Sequence, residues 1–331
     1  MTPGEITIAV TVYDRRDFVE QAVASALTQT LPVRVMVVED CGPDPGLQAR
    51  VVARFGSRIT YHRNARRRGL FDNWNACIGL CATPWLCLLH DDDFLAPDFV
   101  EAMIELAARI PDRGLYYGRC HVVDAAGTVT RTPDALPSAV WQATDHVELA
   151  QRNPVCFPAE LFRADHAKEL GGFHPASLFT SDWDMWARLS LRHGAAFTSR
   201  VVGNVRNHNT EGRGTTRVER NGKCVGLGLM QARKNLAMLR QVGQVRPFDR
   251  AAILRHGPVS TRFLLENAAG FSPRMLAYNR GLLLQSQAPH TGYLLFQFMA
   301  RCLGPGFLRA ASKLSRTLGC VGKRDGARCR A

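Results

Sequence analysis

Trp85-Leu86-Cys87-Leu88-Leu89-His90-Asp91-Asp92-Asp93 runs five apolar residues straight into four polar ones. A continuous apolar run of strand length, without polar alternation, suits a strand buried on both faces, as in a parallel sheet covered by helices. Three adjacent carboxylates at the end of such a strand repel one another. A divalent cation with oxygen ligands offsets that repulsion and commonly bridges phosphates. A solvated turn, or a helix N-cap before Phe94, is the plainer use of the same run.

Upstream, Ile6–Val12 and Val33–Val38 are two more apolar strand-length runs. Between them Val19, Ala22, Val23, Ala26 and Leu27 recur at helical spacing, and Asp17 and Glu20 have the spacing of a capping box. Strand, helix, strand predicts a right-handed crossover in a parallel sheet. The second strand stops at Glu39-Asp40-Cys41-Gly42, a turn-rich acidic loop. A short strand is expected at Ile59–Tyr61, then a very basic loop Arg63–Gly69 and a helix over about Phe71–Cys81. Another helix is expected from Pro97 and Asp98 to about Arg109. Three strands then end in polar loops at one edge of the sheet, where open α/β sheets bind ligands. Beyond Leu115 a hairpin around Ala125-Ala126-Gly127, helices over Leu161–Leu170 and Asp182–Arg192, and a strand at Val201–Val205 are predicted.

Two further constellations carry chemistry. Asp182 stands at a helix start, where capping is its plain role and proton abstraction from a hydroxyl its chemical one. His208, after the last predicted strand, offers a neutral imidazole as an extra ligand beside a metal-bound diphosphate.

The chain of 331 residues, 46% hydrophobic, suffices for one sizeable core and a smaller appended one. Its ten cysteines show no CxxC pair or zinc-like spacing, which fits reduced thiols in a reducing compartment. No signal peptide and no bilayer-spanning apolar run are read, so a cytoplasmic location is expected. The net charge of +13 is unevenly placed: from Arg217 onward there are twenty Lys or Arg against four acids, which leaves the first 216 residues slightly acidic. A local anionic partner is expected for that basic region, a membrane surface or a lipid-linked acceptor. Ala300–Leu318 has the interleaving of an amphipathic surface helix. The acidic body and the lack of a nucleic-acid motif argue against nucleic acid.

Taken in order, these motifs resemble the inverting family 2 glycosyltransferases of the GT-A fold, over about residues 5 to 210. The resemblance rests on Val12-Tyr13-Asp14-Arg15, Ser25–Thr30, Val37-Val38-Glu39-Asp40, Gly69 with Asn73-Trp74-Asn75, Leu88–Asp93 with Pro97, Gly171-Gly172-Phe173 and Ser181–Leu189. It implies an α/β GT-A catalytic domain over 1–215, with a Rossmann-like, mostly parallel sheet. The nucleotide-binding half would cover about 1–115 and the acceptor half 116–215, followed by a basic helical region over 216–331.

The same resemblance implies an inverting transfer from a nucleoside-diphosphate sugar, UDP- or dTDP-type, to a glycan or lipid-linked acceptor in polysaccharide synthesis. Tyr13, Asp40, Arg68, Asp91 and Asp92 would meet the donor. Asp92, Asp93 and His208 would hold Mg2+ or Mn2+, and Asp182 would be the base. Gly172, Phe173, Trp183 and Asp184 would lie on the acceptor side. Four departures stand out: Glu39 for the usual Asp, Cys41 for Gly, Trp74 for Arg and Ser181 for Glu. The acidic motif reads in two registers, His90 with Asp92 or Asp91 with Asp93, and Asp92 is the expected principal ligand. A metal-dependent nucleotidyltransferase or phosphohydrolase, or a silent sugar-nucleotide-binding scaffold, are the alternatives.

Overall fold

The computed structural model describes residues 1–15, 17–133, 140–151, 153–207 and 223–243. His208 and the amphipathic stretch 300–318 lie outside the described residues. The chain divides into two compact units, Met1–Asn209 and Thr210–Ala331.

In the first unit β1 (Ile6–Val12) is buried along its whole length. It pairs in parallel with β2 (Arg34–Glu39) on one side and β4 (Trp85–His90) on the other, with Thr11 opposite both Val38 and His90. β2 pairs in parallel with β3 (Thr60–Arg63). Because these strands share a direction, β1, β2 and β4 deliver Tyr13, Asp40 and Asp91–Asp93 to one edge.

The period of two sends alternate side chains to opposite faces. Ile6, Ile8, Val10 and Val12 pack with α1 (Val19–Leu27), α2 (Leu47–Phe55) and α4 (Phe99–Arg109). Ala9, Met36, Val38, Leu86 and Leu88 meet α3 (Leu70–Leu80), α6 (Ala164–Glu169) and α7 (Ser181–His193). Each fully buried Val, Ile or Leu contributes about 1.5–3 kcal/mol relative to exposure, which is why unalternating apolar runs sit at the sheet's centre. The capping box expected from Asp17 and Glu20 is not made: α1 begins after Phe18, without a side-chain cap.

Past β4 the sheet becomes mixed. Among the described residues it continues through β9 (Glu160–Arg163), β6 (Leu115–Val123), β10 (Ala195–Arg206) and β5 (Phe94–Leu95), with β7 (Val129–Arg131) on β6 and β8 (Trp141–Thr144) on β10. β6 and β7 form the expected hairpin. The helix expected over Leu161–Leu170 begins only at Ala164. Leu161 and Phe162 instead insert between β4 and β6 and feed opposite faces of the sheet, a use of two adjacent apolar residues that helical spacing does not foresee. β5, β8 and α5 (His146–Gln151) have no counterpart in the sequence pattern.

In the second unit α8 (Lys223–Gln241) is described. No described helix is long and apolar enough to cross a membrane.

Candidate active site

The end of β4 sets the geometry of the acidic run. Each of its three carboxylates is almost fully buried and each has its own partner. Asp91 Oδ2 accepts the Tyr13 backbone N–H at 3.1 Å, tying the ends of β1 and β4 together, and burial raises its pKa against the pull of Arg15. Asp92 pairs with the Arg15 guanidinium. Asp93 Oδ1 accepts the Arg206 backbone N–H at 2.8 Å, and its Oδ2 lies 3.6 Å from His90 Nδ1.

His90, Asp92 and Asp93 offer ligand atoms that all lie within 4.8 Å of one another, while Asp91 is turned to Tyr13. One imidazole and two carboxylates make a donor set suited to a divalent cation such as Mn2+. Among the described residues His90 Nε2 is buried without a hydrogen-bond partner, as a nitrogen kept for a ligand would be.

An aromatic wall holds His90. Trp74 lies flat against it, and Phe157 approaches at 4.8 Å between centroids. Trp74, at a position expected to meet the donor, is instead 4% exposed and packs on Phe71, Phe157 and Phe173. Behind this wall Glu160 is fully buried, accepts the Leu88 backbone N–H at 2.9 Å, and is pushed well above the usual carboxyl range by burial. Burial thus favours its protonated form, which limits the negative charge in the neighbourhood of Asp93.

Arg206, read from sequence only as a neighbour of His208, is the clasp of the site. Its guanidinium donates to the carbonyls of Asp92, Asp124 and Ala125 and to Gln21, between the rings of Phe18 and Phe94. Burial of so many backbone acceptors demands one planar donor with five N–H groups.

On the other side of the edge, Asp40 accepts the backbone N–H groups of Arg68 at 2.7 Å and Gly69 at 2.8 Å, and the Asn64 amide at 3.2 Å. Its carboxylate therefore shapes the basic loop. Glu39, the departure beside it, is fully buried against Arg63, Tyr61 and the Gly42 N–H. A Cβ on Gly42 would lie 1.9 Å from the Tyr13 carbonyl oxygen, so the turn closes only on glycine. Arg67 covers the Tyr13 ring at 4.2 Å. Arg66, Arg67 and Arg68 line a groove of about 680 Å³ with Asn64, Asp72 and Asn75.

Helix α7 brings the remaining residues. Asp182 is half-buried, and desolvation pushes its carboxyl up to about 6, against the Trp183 N–H, the Asn153 amide and the charge effect of His90. Ser181 is buried, its hydroxyl donating to the His174 carbonyl at 2.9 Å.

Trp183 and Asp184, expected on the acceptor side, are both buried. The Trp183 indole donates to the Leu149 carbonyl, and Asp184 meets Arg188 at 2.9 Å and His174 at 3.1 Å. Arg188 in turn donates to the carbonyls of Leu170 and Gly172, so this pair braces the turn before Phe173. Asn75 holds the turn from the other side, accepting the Phe173 N–H at 2.8 Å and donating to its carbonyl at 2.9 Å. Gly172 has φ 73, and a Cβ there would lie 2.4 Å from Asn75 Oδ1.

The family model described as Glycosyl transferase family 2 matches residues 7–171, which include all but the first residue of β1 and the acidic run and end just before Gly172. This chain belongs to glycosyl transferase family 2. Among curated relatives, the succinoglycan biosynthesis protein ExoO of Rhizobium meliloti is 36% identical over 172 residues, covering 49% of this chain and 44% of that protein. An uncharacterized glycosyltransferase of Rickettsia conorii is 24% identical over 211 residues, covering 62% of this chain and 35% of that protein. The chain thus spans less than half the length of these two relatives.

The solved structure of S. aureus TarS 1–349 in complex with UDP-GlcNAc superposes with a TM-score of 0.56 at 12% identity, covering 85% of this chain and 89% of that one. The mannosyltransferase PcManGT from Pyrobaculum calidifontis, in complex with GDP-Man and Mn2+, gives 0.53 at 16% identity, covering 95% and 87%. At such identities the likeness is one of fold: this family 2 member has the GT-A architecture, a curled, mostly parallel sheet with flanking helices.

Proposed function

We propose that this chain is an inverting glycosyltransferase that moves a sugar from a nucleoside-diphosphate donor, of UDP or dTDP type, to a hydroxyl of a glycan or lipid-linked acceptor in polysaccharide synthesis. The observation that carries this reading is Asp182, a half-buried carboxyl at the start of α7 that desolvation raises to about 6. Such a group is mostly ionised at neutral pH and still basic enough to accept a proton in a transition state. The name of ExoO supports the polysaccharide context, and the TarS complex supports a UDP-type donor.

Tyr13, Asp40 and the Arg68 loop would receive the nucleoside, with Asp91 keeping Tyr13 in place. A divalent cation held by His90, Asp92 and Asp93, with His208 as a further candidate ligand, would neutralise charge on the departing diphosphate. The turn at Gly172 and Phe173 would face the acceptor. Asp182 takes the proton of the acceptor hydroxyl as the new oxygen–carbon bond forms and the bond to the diphosphate breaks, in one displacement with inversion. The excess of Lys and Arg beyond residue 216 supports attachment to an anionic membrane surface on its cytoplasmic side.

Calorimetry of the full chain with UDP-glucose, UDP-GlcNAc, dTDP-rhamnose and GDP-mannose, with and without Mn2+ or Mg2+, tests the donor. Binding of none of them overturns the reading, and turnover of nucleotide without any sugar acceptor would favour a phosphohydrolase. Asp182→Asn is expected to retain donor binding and lose transfer.

A further inference from the structure

The segment after α5 turns back onto the start of α7, and a side-chain amide spans the gap. Asn153 Oδ1 accepts the backbone N–H of Val155 at 3.3 Å, an internal turn, while its Nδ2 donates to Asp182 Oδ2 at 2.7 Å. Val155 is buried, and the Trp183 indole clamps the Leu149 carbonyl of α5, so both ends of the bridge stand on packed structure.

The chemistry of this contact is directional. A side-chain NH2 group only donates, and it carries no titrating proton of its own. The bond therefore fixes the rotation of the carboxylate through Oδ2, and Oδ1 keeps lone pairs to receive a proton. It also favours the ionised form, in opposition to burial, which favours the acid. Without the amide, only the backbone N–H groups of Trp183 and Asp182 would hold the carboxylate in its half-buried site.

We infer that Asn153 is the positioning residue of the transfer step, holding the Asp182 carboxylate in the single orientation from which it takes the acceptor's proton. The inference rests on Asp182 acting as the base. Asn153 touches no reacting atom. It acts through Asp182, so its removal affects the chemical step and leaves donor binding alone.

Two variants of the full chain test this, Asn153→Ala and the near-isosteric Asn153→Leu, which keeps the shape, cannot donate and adds no charge beside Asp182. The probe is whichever of the four sugar nucleotides above binds, with release of nucleoside diphosphate as readout. A loss of orientation of this kind costs on the order of a hundredfold in rate. Both variants are expected to lose kcat on that scale, with donor KM, calorimetric donor affinity and melting midpoint unchanged. Native kcat in Asn153→Leu overturns the inference, because a packing role would survive a near-isostere. A parallel fall of kcat and melting midpoint in both variants overturns it too. Asp182→Asn separates the two levels: if it still transfers sugar, the base assignment itself fails. If it is inactive while Asn153→Leu behaves as native, only the role of Asn153 fails.

Discussion

The Trp74 indole lies on the His90 imidazole with ring centroids 5.5 Å apart and planes 13° from parallel. His90 offers a ligand atom beside those of Asp92 and Asp93, and this stack fixes the plane in which its nitrogens can meet a cation. The wall continues through Phe157 and Phe173, so the orientation of one candidate ligand depends on the packing of three aromatic rings.

Trp74→Ala is therefore expected to act on both stability and the metal. Removing a buried Trp costs about 3–5 kcal/mol, read as a lowered urea midpoint. Trp74→Phe keeps a ring and loses less. In both variants Mn2+ affinity by calorimetry should fall, since His90 is no longer held. Native Mn2+ affinity in a folded Trp74→Phe variant would show that the stack does not orient the ligand.

The pH response of Asp182 has opposite signs for rate and stability. As a base it works ionised, so turnover should rise through about pH 6 and level off above. In folding terms its pKa is raised from 3.8 to about 6, so the folded chain holds the proton more tightly than the unfolded one. The stability it contributes is full below about pH 4 and lost as the pH climbs through 6. Asp182→Asn, neutral throughout, should then melt higher than the native chain at pH 7.5 while being inactive, with the gap closing toward pH 4. A gap that does not change with pH would disprove the raised pKa.

Cys41 carries a smaller, separable cost. Its φ of 49 lies in the left-handed region, at the place where the resemblance leads one to expect glycine. An L-residue there costs roughly 1–2 kcal/mol, partly offset by the extra unfolded-state freedom that glycine brings. Cys41→Gly is expected to stabilise by about 0.5–1 kcal/mol, measured as a higher urea midpoint at unchanged slope. A neutral or destabilising result would mean that the thiol's contact near Arg63 outweighs the strain.

By itself the sequence determined the elements whose periodicity is long and whose burial is complete. Ile6–Val12, Arg34–Glu39 and Trp85–His90 are mostly apolar, without polar alternation, because both faces of a parallel sheet are covered. That alone predicts where Tyr13, Asp40 and the acidic run gather. β9 was beyond reach of such reasoning, since two residues between neighbouring strands leave no period to detect. The tertiary structure alone decided which of the carboxylates face one another. It turned Asp91 to the Tyr13 N–H, set His90 with Asp92 and Asp93, buried Asp184 on Arg188 and hung Asp182 on Asn153. Asp91 to Tyr13 and Asp182 to Asn153 join residues far apart in the chain, and the local pair Asp184–Arg188 and the His90, Asp92 and Asp93 group take their burial from how strand ends and loops pack. Local spacing carries no information about which oxygen finds which donor.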